Sequence, residues 1–215
     1  MVKSAAMYME FTTAALVTML VTLDPPGLAP IFLSLTRGMS AGERRQVAVR
    51  ASIIAFCIMG FFGVAGDVVL KALGVSLPAF RIAGGLLLFW IAFEMVFERR
   101  QDRKEKTAET AITQDHIRNV AAFPLAIPLM AGPGALTATI LLAGRAHGDP
   151  VLLATLAIIC GLVILCCLAV FLAASSIAKL LGVTGNVVLT RLLGVILAAL
   201  AVQFVIDGVK AALTG

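Results

Sequence analysis

Charge is scarce in this chain. Charged residues make up 13% of its 215 positions, about half the ~25% of a typical soluble domain. Hydrophobic residues make up 60%, and mean hydropathy is +1.04. A soluble globular domain is excluded on that ground. Histidine is nearly absent: His116 and His147 both fall in or beside loops, which leaves neither a metal cluster nor a histidine for an intramembrane catalytic triad. No Walker A pattern occurs, so direct drive by ATP is not expected. The four cysteines (Cys57, Cys160, Cys166 and Cys167) all lie inside apolar runs and say nothing about redox compartment. Apolar and polar positions do not alternate, which argues against a β-barrel. The pI near 9.3 would suit a nucleic-acid binder, but the basic residues sit in links beside apolar segments, where membrane topology explains them. No nucleic-acid partner is expected.

What the chain has instead is apolar runs long enough to cross ~30 Å of hydrocarbon, which takes about 20 helical residues. The expected class is an all-α membrane protein whose chief partner is the lipid bilayer. Six transmembrane helices are expected, over about 7–36, 47–73, 79–97, 119–144, 150–178 and 188–211. The apolar N-terminus after Lys3 is too long for a signal peptide and lacks a small-residue cleavage site. Arg37, Arg44, Arg45 and Arg50 follow the first span; Arg99, Arg100, Arg103, Lys104, Lys106 and Arg118 flank or occupy the link after the third. The links after spans two and four are poor in such residues, with Lys71, Arg81 and Arg145 nearby. The positive-inside rule therefore places the two basic links in the cytoplasm and both termini outside.

The link from Glu98 to Arg118 mixes signs, with Asp102, Glu105 and Glu109 among the bases. Such a stretch reads as a solvated, flexible connection. It divides the chain into a first three-helix repeat (1–97), a cytoplasmic linker (98–118) and a second, inverted three-helix repeat (119–215). An odd number of spans per repeat forces the inversion. Short matches support the 3+3 repeat: Arg81-Ile-Ala-Gly84 against Arg191-Leu-Leu-Gly194, and Leu73-Gly74-Val75-Ser76 against Leu181-Gly182-Val183-Thr184.

Spans one and four are also broken alike. The first holds DPPGLAP from Asp24 to Pro30, the second AGPG from Ala131 to Gly134, and their Pro-Gly pairs are offset by 107 positions. Proline removes a helical donor and glycine weakens the helix further. Interrupted segments at corresponding places in two halves point to a transporter's binding site. The freed N–H end of a half-helix suits a carboxylate, and the carbonyl end an ammonium group or cation. Two such ends meeting near the midplane suit a zwitterion such as a free amino acid. The halves of span four measure about 12 and 10 residues, but the first half of span one is about 17 residues, or ~25 Å.

DPPGLAPIFLSLTRGMS, LPAFRIAGGLLLF, FPLAIPLMAGPGALT and RLLGVILAALAVQ closely resemble the MarC family of bacterial inner-membrane proteins, over nearly the whole chain. The resemblance implies a 3+3 inverted repeat with discontinuous first and fourth helices. It also implies transport of small neutral amino acids such as glycine and alanine. It places Pro25, Gly27 and Pro30 in one break and Pro128, Gly132, Pro133, Gly134 and Thr137 in the other. One departure stands out: the family usually has Asn where this chain has Asp24. An ionised Asp24 accepts hydrogen bonds only, and an intramembrane carboxylate is functional by default. It would pair with a substrate ammonium, carry a coupling proton, or sit protonated as a near-Asn mimic; its alternative role is to cap the second half-helix without touching cargo.

Glu94 and Gln203 occupy comparable parts of spans three and six and join Asp24 as candidates for coupling or gating. Asp67, Asp207, Arg81 and Arg191 read as interfacial or paired. Gly60, Gly63 and Gly66 give span two a smooth packing face. The expected function is secondary transport by alternating access, with a proton or Na+ as candidate coupling ion and no cofactor or resident metal. The alternatives are export of another small solute or drug, or a non-transporting assembly role. An enzyme is not expected: Gly66-Asp67 matches a fragment of an aspartyl protease motif, but no second motif supplies its partner.

Overall fold

A computed structural model of the chain describes residues 2–114, 120–146 and 148–214; His116, Arg118 and His147 lie outside the described residues. Among the described residues the chain is helical and contains no strand. α1 (Val2–Leu23) and α2 (Pro25–Leu35) meet at Asp24 and together make one candidate span, Ala6–Leu35. α3 (Ala41–Ala72) and α4 (Leu77–Val96) are unbroken spans, followed by the polar helix α5 (Arg99–Gln114). A wound segment, Ala121–Met130, then meets α6 (Pro133–Arg145) at 57°, a bent pair that makes a sixth candidate span when the two are taken as one. α7 (Pro150–Leu172) is the next span, and α8 (Ala174–Thr214) carries the last over Thr184–Thr214.

The helix starts follow from local chemistry. Ser40 and Glu43 form a reciprocal capping box at α3. Ser76 accepts the Ala79 N–H at 3.3 Å at α4, and Asp149 accepts the Val151 N–H at 2.8 Å at α7. The latter two helices carry proline in the first turn, where its missing N–H costs nothing.

α4 and α8 pack antiparallel with backbone close to backbone. A Cβ on Gly85 would sit 2.8 Å from the Ala201 carbonyl, and one on Gly194 would sit 3.1 Å from the Ala92 carbonyl. Backbone atoms have little freedom to yield, so Gly85→Ala is expected to cost about 1–3 kcal/mol through overpacking. Gly60→Ala, where an added Cβ meets nothing within 4 Å, is the control. Thermal unfolding in detergent micelles checks this: the Gly85 variant should melt earlier than wild type, and the Gly60 variant should not.

Four expectations change. The stretch after Glu98 is not a flexible connection: α5 is a helix whose Arg100, Lys104 and Ala108 are buried. The first half of span four is not a regular α-helix, because Phe123 and Ile127 precede prolines and take extended backbone (ψ 124° in each). α7 ends at Leu172 and α8 runs on through Leu181-Gly182-Val183-Thr184. The matching Leu73–Ser76 stretch instead forms a turn, with Gly74 at φ +69° and Ser76 capping α4. The difference has a local cause: Pro78 follows Ser76, whereas no proline follows Thr184. Lastly, Gly63 and Gly66 do pack on α6 through Thr139 and Ile140, but Gly60 does not.

Candidate functional site

The first break is one residue wide. Asp24 takes left-handed backbone (φ 54°, ψ 64°), a region in which Asp and Asn are enriched among non-glycine residues. That turn ends α1, and Pro25 and Pro26 restart the chain as α2. The Asp24 carboxylate caps the new helix, with the Gly27 N–H donating to Oδ1 at 3.3 Å. An added Cβ on Gly27 would fall 2.2 Å from Oδ2, so glycine is what leaves the carboxylate room.

Asp24 is 1% exposed, and its counter-ion comes from α5: Lys104 Nζ lies 3.1 Å from Oδ2 and is itself 7% exposed. Burial pulls the Lys104 ammonium down to about 8, and the Asp24 carboxylate opposes that fall. One turn earlier, Arg100 is 6% exposed. Its guanidinium donates to the Val21 carbonyl at 3.5 Å and to the Thr22 carbonyl, and it contacts Met95 Sδ at 2.8 Å. Those carbonyls belong to the last turn of α1, which has no helical partners for them. Gln101 donates to the Gly27 carbonyl at 3.4 Å. α5 therefore supplies cations to both polar features of the first break, the carbonyl end of α1 and the carboxylate that caps α2.

The second break is more open. A Cβ on Gly132 would sit 2.2 Å from the Pro128 carbonyl. α6 begins at Pro133, and no side chain caps it. Proline has no N–H, and the N–H groups of Gly134 and Ala135 lack partners in a preceding turn. An added Cβ on Gly134 would lie 3.4 Å from the Thr22 methyl, and Thr22 stands two residues before Asp24. The two breaks thus lie side by side. Between the second break and α5 is a cavity of about 340 Å³. Pro128, Gly132, Pro133 and Gly134 form one wall, and Arg100, Arg103 and Lys104 form another. Trp90, Ile91 and Leu129 add apolar surface.

The other sequence candidates are spread around this centre. Pro25 and Gly27 build the first turn of α2 under Asp24, and Pro30 lies farther along α2. Thr137 is buried on α6 against Gly84, outside the cavity wall. Glu94 is 7% exposed and orients the cavity's edge: it pairs with Arg103 at 2.9 Å and accepts from Trp90 Nε1 at 3.2 Å. Gln203 is exposed and donates to Asp207 at 2.7 Å. Asp207 in turn lies 3.6 Å from Arg145, which also approaches Glu10 at 3.6 Å. Asp67 pairs with Lys71 at 2.6 Å, and Arg191 pairs with Glu98. In the sequence Arg100 and Lys104 stand only among the bases of a polar link. Their signal was their i, i+4 spacing with Ala108 following, one face of a helix inside a polar stretch.

A family model described as "MarC family integral membrane protein" matches residues 9–213 of the chain. The chain belongs to the MarC family. MarC relatives include a UPF0056 membrane protein of Archaeoglobus fulgidus, 38% identical over 202 residues that cover 94% of this chain and 93% of the relative. UPF0056 membrane protein YhcE of Escherichia coli is 35% identical, covering 90% and 89%. UPF0056 membrane protein YvbG of Bacillus subtilis is 32% identical, covering 95% and 96%. These names state a membrane protein and no reaction or cargo. No solved structure matches the chain. The MarC assignment and the helices together establish an integral, multi-pass membrane protein.

Proposed function

We propose that this MarC-family protein is a secondary transporter of small neutral amino acids of glycine or alanine size, resident in the bacterial inner membrane with both termini outside. Two inverted three-helix repeats rock around the adjoining breaks, and α5 closes the cavity from the cytoplasmic side. The observation that carries the reading is the cavity itself. It opens onto the unsatisfied start of α6, in a part of a membrane protein where unsatisfied backbone is tolerated only beside a cavity or other protein. Its volume of about 340 Å³ is at the lower end of ligand pockets, as small cargo requires. Asp24 and Lys104 are the pair through which a coupling proton would act, since moving α5 breaks their contact.

Purified protein in proteoliposomes is expected to take up labelled glycine, alanine or serine saturably. Uptake should rise under an imposed proton or Na+ gradient. Uptake no greater than that of empty liposomes for all three, under every gradient, would remove the amino acid reading.

A further inference from the structure

We propose that the α5 face of this cavity is a carboxylate subsite, and that the site recognises its cargo through negative charge before it recognises an ammonium group. The proposal deepens the transporter reading by naming the group that is held. Lys104 is matched by Asp24 and Arg103 by Glu94. Arg100 is buried in the same wall, yet no carboxylate lies within ion-pairing distance of it among the described residues. Carbonyl groups of α1 and a thioether are its partners. The Asp24 charge acts on Arg100 as well, but Lys104 already pairs with it; two carboxylates thus serve three cations in this wall, and carbonyl dipoles offset only part of the cost of the third. The opposite wall is positive as well: the first turn of α6 carries the free N–H groups of Gly134 and Ala135 and the positive end of the helix dipole.

Two positive walls facing one space repel a cation and leave a neutral ligand's partners unmatched. A planar anion with two oxygens satisfies both, because a guanidinium and a helix start each donate to such a group. The cavity has one unmatched cation, which suits a monoanion better than a dianionic phosphate. Apart from Thr22 and Thr107, the remaining lining is apolar, with Leu87, Trp90, Ile91, Leu129 and Met130, and suits a short aliphatic tail. The subsite also explains why Asp24 does not expel a carboxylate cargo: Lys104 lies against Asp24 and also lines the cavity.

Thermal unfolding of the full-length protein in detergent tests this with sodium propionate, alanine, alaninamide, propylamine, phosphate and sodium chloride at matched ionic strength. Propionate and alanine should raise the midpoint in a concentration-dependent way. Alaninamide and propylamine should do no more than sodium chloride. Arg100→Gln should weaken the propionate effect by about tenfold or more; if that variant does not fold, the wild-type series decides alone. The proposal is overturned if alaninamide or propylamine matches alanine, if propionate acts no better than chloride, or if phosphate exceeds propionate. A null series beside saturable alanine uptake would sink the subsite and leave the transporter standing. Stabilisation by propionate with flat uptake would do the reverse.

Discussion

Gly27→Ala is expected to destabilise the protein by about 3 kcal/mol or more, the range seen when a buried ion pair is broken. The substitution changes one hydrogen for a methyl, and on an ordinary helix it would stabilise. Here the new Cβ falls 2.2 Å from Asp24 Oδ2 and 2.8 Å from its Cγ. The carboxylate must leave its place, giving up the cap on α2 and the contact with Lys104. α5 then loses its anchor to the first break, and two buried charges separate. Thermal unfolding in micelles and the elution profile of the purified protein read the effect. Gly42→Ala, where an added Cβ meets nothing within 4 Å, should behave like wild type. Equal stability of the Gly27 and Gly42 variants would mean that Asp24 is not held as described.

The second large effect concerns Lys104. Lys104→Met leaves the Asp24 carboxylate buried beside Arg100 without its ion-pair partner, at an expected cost of about 3–5 kcal/mol. Adding Asp24→Asn should recover most of that loss, because Asn also accepts left-handed backbone and caps helices well. The double-mutant cycle should give a coupling of about 2 kcal/mol or more. Asp24→Asn alone should cost less than Lys104→Met, and its cost should depend on pH. Burial already lowers the Lys104 pKa to about 8, and the Asp24 charge is what opposes that fall, with Arg100 and Cys167 as the other titratable neighbours. Without Asp24 the folded-state pKa drops further, so the unfolded chain binds more protons than the folded one. Stability of Asp24→Asn should therefore rise relative to wild type between pH 7 and pH 9. A relative fall over that range would contradict the assignment.

Much of this arrangement was readable from residues. Hydropathy marks the spans, because a helix in hydrocarbon needs an apolar run of fixed length. Pro25, Pro26 and Gly27 mark the first break, and Pro133-Gly134 mark the second, because neither sequence continues a helix undisturbed. The side-by-side placement of the breaks is what the inverted repeat suggested by the sequence leads one to expect. What escaped was the partner of Asp24. Lys104 is 80 positions away, in a stretch so polar that it reads as solvated, and composition says nothing of which face of such a helix is buried. Only the spacing of Arg100, Lys104 and Ala108 hinted at one face. Pro124 and Pro128 were also underestimated: their effect falls on the residues before them, Phe123 and Ile127, and turns a half-helix into an irregular segment. From sequence, Asp24 is a candidate partner of a cargo ammonium or a coupling proton, or else a helix cap. The cap is present, with the Gly27 N–H on one carboxylate oxygen, and the ammonium on the other oxygen is the protein's own Lys104.

The central claim is that the cavity at the second break holds the cargo and opens past α5. Ala135 sits at the start of α6 in the cavity wall, so Ala135→Cys reports on that space directly. The measurement is the labelling rate of this cysteine by a membrane-impermeant anionic thiol reagent, added from either face of sealed vesicles, in a protein whose four native cysteines are replaced by alanine. The account predicts labelling from the α5 face that slows as alanine is added. Labelling that proceeds at one rate with and without alanine, or not at all from either face, would contradict it.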